Sequence, residues 1–165
     1  MKILFLDIDG VLNSDEYFRE NHDDVKRLYK DSLYNKDDID FLLKRQMLDI
    51  DINKLLMLKN ALNGTDVKVV IISSWKKLKI FPYVVRELIK RGLPIIDFTI
   101  DNGSDRGAGI KKYLIDYQVD DYVIIDDDIF DDYDQEILSK LIKTSFYNGG
   151  LKKEHVNELI KRLKK

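Results

Sequence analysis

Three polar groups each follow an apolar run in this chain: Asp7 with Asp9, Ser73 with Ser74, and Asp126 with Asp127 and Asp128. Two carboxylates two residues apart on an extended or turning chain can enter one pocket in different roles, one attacking a reacting atom and the other moving protons. A run of acids suits a hard cation such as Mg²⁺, which takes carboxylate and water oxygens. Adjacent side chains diverge, so one or two of Asp126, Asp127 and Asp128 would reach such an ion. A serine after a strand is ordinarily a turn former, and Asp9-Gly10 taken alone is also a plausible turn. The groups amount to a site only if the fold brings them together.

The elements that would do so are legible from periodicity. Residues 2–8 and 67–73 are short apolar runs rich in β-formers, as are 93–100 and 122–125, with a weaker fifth at 141–146. Between them lie stretches with apolar residues at helical spacing: Ile52, Leu55, Leu56, Leu58 and Leu62; Val84, Val85, Leu88 and Ile89; and residues 109–117. Strands apolar on both faces that alternate with helices predict a doubly wound parallel α/β sheet, Rossmann-like and flanked by helices. Such sheets bind ligands outside the carboxyl ends of their strands. All three polar groups fall at that edge, and Gly10 lets the chain turn sharply there. A closing helix over 152–165 carries Val156, Leu159, Ile160 and Leu163 on one face, after a Gly149-Gly150 turn. Residues 14–51 are too long for an ordinary strand-to-helix loop. They read as a small cap-like insertion with two helical pieces, near 23–29 and 37–48.

Bulk properties narrow the classes. The 165 residues are 44% hydrophobic, 35% charged and 10% aromatic, the profile of one globular domain spanning 1–165. No apolar run approaches the roughly 18 residues of a membrane span, and Asp7 and Asp9 interrupt the N-terminal run before it could serve as a signal peptide. A cytoplasmic protein is expected. The absence of cysteine excludes disulfides and thiolate metal sites. His22 and His155 are far apart and read as surface or helix-face residues, not ligands. A net charge of -2 argues against bulk coating of nucleic acid.

The segment Asp7-Ile8-Asp9-Gly10-Val11-Leu12 resembles the Asp-x-Asp-Gly-x-Leu signature of the haloacid dehalogenase (HAD) superfamily, in its usual place after a first hydrophobic strand. The resemblance extends to Ser73, residues 106–114, residues 123–128, and Thr144 with Gly150-Leu151. It is similar in particular to the small HAD domains that include those of Swiss-army-knife RNA repair proteins. The resemblance implies a phosphatase in which Asp7 is the nucleophile that forms an aspartyl-phosphate. Asp9 would protonate the leaving group and then activate water. Ser73, with Ser74 sharing the task, would bind a phosphate oxygen, and a cation before the fourth strand would offset charge. Arg106 fits that last place best, ahead of Lys111 and Lys112, although the family more often has lysine. Mg²⁺ is the implied cofactor, with Asp7, Asp9, Asp127 and Asp126 as candidate ligands and Asp127 the first choice among the late acids. Asp131, Asp132 and Asp134 read as a solvated loop, with Asp131 the exception to watch, and Trp75 reads as core or pocket wall.

A receiver-like phospho-acceptor module is the rival reading, since it too uses an aspartate, Mg²⁺, a hydroxyl and a lysine. Receivers, however, place an acidic pair after the first strand and the acceptor after the third. The expected substrate is a nucleotide or nucleic-acid end, then a small phosphorylated metabolite. Tyr17, Phe18, Arg19, Lys26, Arg27, Tyr29, Lys30 and Tyr34 of the insertion are candidates to stack a base and hold phosphates.

Overall fold

A computed structural model describes residues 1–31, 33, 35–101 and 105–164; Tyr34, one of the candidate stacking residues, lies outside them. Five strands, β1 (Lys2–Leu6), β2 (Lys68–Ile71), β3 (Ile95–Phe98), β4 (Asp121–Asp126) and β5 (Leu141–Lys143), form one sheet in the order β3-β2-β1-β4-β5. Every pairing is parallel. Among the described residues eight α-helices accompany it: α1 (Asp15–Glu20), α2 (His22–Lys30), α3 (Ile39–Met47), α4 (Ile52–Leu62), α5 (Phe81–Lys90), α6 (Arg106–Asp116), α7 (Gln135–Lys140) and α8 (Lys153–Leu163). The Rossmann-like α/β architecture read from the sequence is the one observed.

The alternation of side chains along a strand explains why both faces are covered. Leu4 and Leu6 of β1 join Val69, Ile71, Val123 and Ile125 in one core, packed with Leu55, Leu58, Leu88 and Leu159 of the helices. Ile3 and Phe5 point the other way and join Val70, Ile124, Ile110 and Tyr113 in a second core. Phe5 is fully buried and meets Tyr113 and Tyr122 edge to face at 5.7 and 5.8 Å. Such an aromatic core costs about 3–5 kcal/mol to truncate to alanine.

Several expectations change in detail. The third strand is shorter than 93–100 and is not buried on both faces, because β3 is the sheet edge; Ile96 and Phe98 are about half exposed there. The fifth strand ends at Lys143, well short of residue 146. The insertion holds three helices instead of two, since Ser14 caps an unanticipated α1 by accepting the Tyr17 N–H at 3.2 Å. Another unanticipated helix, α7, starts at Asp134, whose carboxylate accepts the Ile137 N–H at 3.1 Å. The 14–51 segment is tied down by Tyr17, whose single hydroxyl proton is shared between the carbonyl oxygens of Leu48 and Ile50, 2.8 and 2.9 Å away. No described helix is long and apolar enough to cross a membrane.

Candidate active site

Parallel pairing carries the three polar groups to one edge. The ladder runs one residue past the strands: Asp7 N–H donates to Ile125 O at 3.0 Å, Ile72 N–H to Leu6 O at 3.0 Å, and Thr144 N–H to Asp126 O at 3.0 Å. Asp7 thus stands between the ends of β2 and β4. The chain then folds back, with Val11 and Leu12 N–H groups donating to Ile8 O at 3.1 and 2.8 Å. Gly10 occupies the left-handed region at φ 74°, and a Cβ there would come within 2.1 Å of Asp127 Oδ2. Glycine is therefore required twice over, by conformation and by the close approach of the carboxylate. Its neighbours hold it: Asn13 Oδ1 accepts its N–H at 2.8 Å, and the Thr144 hydroxyl donates to its carbonyl at 2.6 Å.

Asp7, Asp126 and Asp127 can present oxygens that all lie within 4.8 Å of one another. The buried Arg106, at the start of α6, offsets this charge: its Nη1 is 2.8 Å from Asp126 Oδ2 and 3.3 Å from Asp7 Oδ2. The compensation is partial. Burial, followed by repulsion from Asp126, pushes the Asp7 pKa well above the ordinary carboxylate range despite Arg106. Burial and Asp126 also raise Asp127, which shares a hydrogen bond with Asp7. Burial disfavours the Arg106 charge, but Asp7 and Asp126 outweigh it and raise its pKa.

The loop after β4 wraps this cation. Phe130 lies under the guanidinium, 4.1 Å from ring centre to Cζ, and the buried Tyr133 donates its hydroxyl to Asp126 Oδ2 at 2.7 Å. Asp132 accepts the Gly107 and Ala108 N–H groups at 3.0 and 2.8 Å, seating the first turn of α6. Among the loop acids it is therefore Asp132, not the exposed Asp131, that reaches into the structure. Asp128 accepts the Ile129 N–H at 2.8 Å, while its own N–H donates to Asp126 Oδ1 at 3.1 Å. Lys111 and Lys112 pair outward with Asp134 and Asp116, so of the three candidate cations only Arg106 meets the carboxylates.

Asp9, expected from the sequence to move protons and to be a candidate metal ligand, is held from two sides. Its Oδ2 accepts the Trp75 Nε1–H at 3.0 Å and its Oδ1 accepts Asn13 Nδ2–H at 2.9 Å. These bonds turn the carboxylate to the cleft wall and leave it outside the three-carboxylate group. Trp75 is thus the partner of a candidate proton carrier as well as a wall. Ser73 is fully buried and its Oγ accepts the Trp75 N–H at 3.2 Å, whereas Ser74 is exposed to the cleft.

That open cleft, about 630 Å³, is lined by Asp9, Asp127, Ser74 and Trp75 on the sheet side. Phe18, Gln46 and Asp49 come from the insertion, and Phe146 and Tyr147 from the 3-10 turn Phe146–Asn148. The remaining insertion candidates are engaged elsewhere or exposed away from it. Tyr17 pins the backbone, Arg19 and Arg27 pair with Asp15 and Asp24, Tyr29 packs edge-on against Phe41, and Lys26 and Lys30 are exposed. The sequence places Phe146 at a strand end and does not single out Tyr147; the signal available is an aromatic pair one residue before Gly149-Gly150.

The fold and the strand-end carboxylates define an α/β protein of Rossmann-like type with a HAD-like arrangement of acids. The sequence model of a family described as the HAD domain in Swiss Army Knife RNA repair proteins matches residues 3–156, and the chain belongs to that family. No curated protein and no solved structure matches it. Membership implies activity of the phosphatase or hydrolase type.

Proposed function

We propose that the protein is a Mg²⁺-dependent phosphomonoester hydrolase that works through an aspartyl-phosphate on Asp7, with a nucleotide or nucleic-acid end as substrate. The observation that carries this reading is the meeting of Asp7, Asp126 and Asp127 around Arg106 at the strand ends, beside a separately held Asp9. An Asp7 oxygen attacks phosphorus and the ester oxygen leaves with a proton supplied by Asp9. Asp9 then takes a proton from water, whose oxygen attacks the phosphorus of the acyl phosphate; inorganic phosphate leaves and Asp7 is regenerated. Asn13 and Trp75 orient Asp9 for both transfers. Ser73 and Ser74 bind phosphate oxygens, and Arg106, committed to two carboxylates behind the cleft, offsets the charge of Asp7.

The carboxylates suit a hard divalent cation. They are all oxygen donors and they converge, and burial first, with repulsion from Asp126 second, disfavours the charged forms of Asp7 and Asp127, a penalty that a bound cation would relieve. Asp126 already accepts from Arg106, Tyr133 and the Asp128 N–H, so Asp7 and Asp127 are the leading ligands. When bound, Mg²⁺ would shield the phosphate from these acids and polarise its oxygens.

The test is hydrolysis of a generic aryl phosphate by the purified chain. The expected result is Mg²⁺-dependent turnover that stops on chelation and falls by at least about a thousandfold in Asp7→Asn. Undiminished turnover in that variant removes the nucleophile assignment, and a phosphorylated form that persists for minutes replaces hydrolysis with the receiver reading.

A further inference from the structure

Tyr147 is 85% exposed, yet its surroundings are firmly built. Its ring stands edge-on to Phe146 at 5.1 Å, and Phe146 stands edge-on to Phe18 of α1 at 5.6 Å. The turn beneath closes with Gly150 N–H donating to Ser145 O at 2.8 Å, and Leu151 N–H continues to Val11 O at 3.0 Å. Gly150 packs so closely that a Cβ on it would meet Asn13 O at 2.5 Å. Lys54 Nζ donates to Leu151 O at 3.0 Å and also to Gly149 O. The residues gripping this turn, Val11 and Asn13, belong to the loop that carries Asp9. The turn that carries Tyr147 is therefore held relative to the candidate proton carrier, and both residues line one cleft.

The charge of the cleft limits what can lie on that face. Among the described residues its lining contains no Lys or Arg; it contains Asp9, Asp49 and Asp127, and Asp49 is already paired with Arg45 at 2.8 Å. Beyond Tyr147, Arg19 and Lys152 share the neighbouring hollow with Glu16 and Glu20, and Arg19 is itself paired with Asp15. A nucleic-acid strand needs a positively charged track for its successive phosphates; among the described residues none lies in the cleft itself, and Lys76 and Lys79 belong to the separate hollow that shares Leu78 with it. Gln46 adds an amide to the same wall, able to donate to and accept from the edge of a heterocycle.

We propose that the leaving group is a single nucleoside whose base stacks on Tyr147, so that the cleft selects nucleoside monophosphates over sugar phosphates and over nucleic-acid ends. This rests on the phosphohydrolase reading of the same site. Stacking on one aromatic ring corresponds to about ten- to a hundredfold in affinity, and it acts on binding of the whole substrate and not on the chemical step.

Trp75 is the sole tryptophan and lines the cleft, so its fluorescence reports occupancy without requiring turnover. The full chain and Tyr147→Ala are titrated in Mg²⁺ buffer with adenosine monophosphate, ribose 5-phosphate, phosphotyrosine and a short oligoadenylate bearing a terminal phosphate. Equilibrium dialysis of the same four compounds gives affinities independent of the optical signal, and phosphate release is assayed in parallel. In the wild type, adenosine monophosphate binds about tenfold or more tightly than each of the others, and Tyr147→Ala removes most of its advantage over ribose 5-phosphate. The proposal is overturned by equal binding of those two compounds or by no binding of any. A gap unchanged in Tyr147→Ala, or tighter binding of the oligonucleotide or phosphotyrosine, overturns it equally. If the binding pattern holds while no compound releases phosphate, the hydrolase reading alone fails. Release of phosphate without the binding pattern sinks only the stacking assignment.

Discussion

Asp7 and Asp126 stand at the ends of neighbouring strands, and backbone hydrogen bonds such as Asp7 N–H to Ile125 O at 3.0 Å set their relation. Phe18 and Tyr147, across the cleft, stand on a six-residue helix and a three-residue turn held largely by side-chain and loop contacts. The first region is buried, charged and inseparable from the sheet. The second is exposed, aromatic and attached to the fold at a few points, chiefly Tyr17, Lys54 and the glycine turn. On the proposed reading, the contrast assigns the chemistry and the choice of substrate to different parts of this chain. Damage to the strand-end group therefore propagates into stability, while damage to the cleft wall alters binding and leaves the core intact.

The largest effect that would sharpen this comparison is Arg106→Met. It strands the buried Asp7 and Asp126 without a counter-charge and is expected to cost about 3–5 kcal/mol of unfolding free energy, measured by urea denaturation. A loss comparable to that of a surface substitution would break the claim that the strand-end region is inseparable from the fold. A smaller effect is expected on the other side of the cleft. Tyr17→Phe removes the hydroxyl proton shared by the Leu48 and Ile50 carbonyls, costing about 1 kcal/mol, and should raise KM with kcat nearly unchanged. A fall in kcat at constant KM would contradict the division of labour.

The smallest effect concerns the seam where the Tyr147 turn enters α8. His155 Nδ1 accepts the Lys152 N–H at 2.9 Å, and burial lowers the imidazole pKa below its ordinary value. Because the folded pKa is the lower one, the unfolded chain binds the extra proton first. This contribution to stability is complete above about pH 6.5 and is lost as pH falls through the depressed folded value. Protonation also removes the acceptor. Comparing Tm against pH, His155→Gln should show a flatter profile on the acid side, since glutamine keeps an acceptor that does not titrate. Parallel profiles would deny His155 this role.

Much of the strand-end region was readable because it follows from local pattern. Short apolar runs ending in Asp7, Ser73 and Asp126 predict both the strands and the edge at which they finish, and Arg106 was selected by its place before a helix. What escaped depends on contacts remote in sequence. The Trp75 bond to Asp9, the seating of α6 by Asp132, and the Tyr133 bond to Asp126 leave no mark on periodicity. The two bonds that hold Asp9, from Trp75 and Asn13, escaped for the same reason, since nothing local reveals them. The 14–51 segment stands out by its length, but Phe18, which lines the cleft, lies on α1, a helix too short to show a period. Tyr147 was hidden because an exposed aromatic before a glycine pair resembles an ordinary strand end.

The central claim is that Asp7 carries the phosphoryl group. The most direct measurement is to mix enzyme with substrate and Mg²⁺, quench with acid, reduce with borohydride and map the peptides by mass spectrometry. Borohydride converts an aspartyl-phosphate to homoserine. The account predicts homoserine at position 7, absent when Mg²⁺ is withheld and absent in Asp7→Asn. Homoserine at another aspartate, or none at any position during sustained turnover, would contradict it.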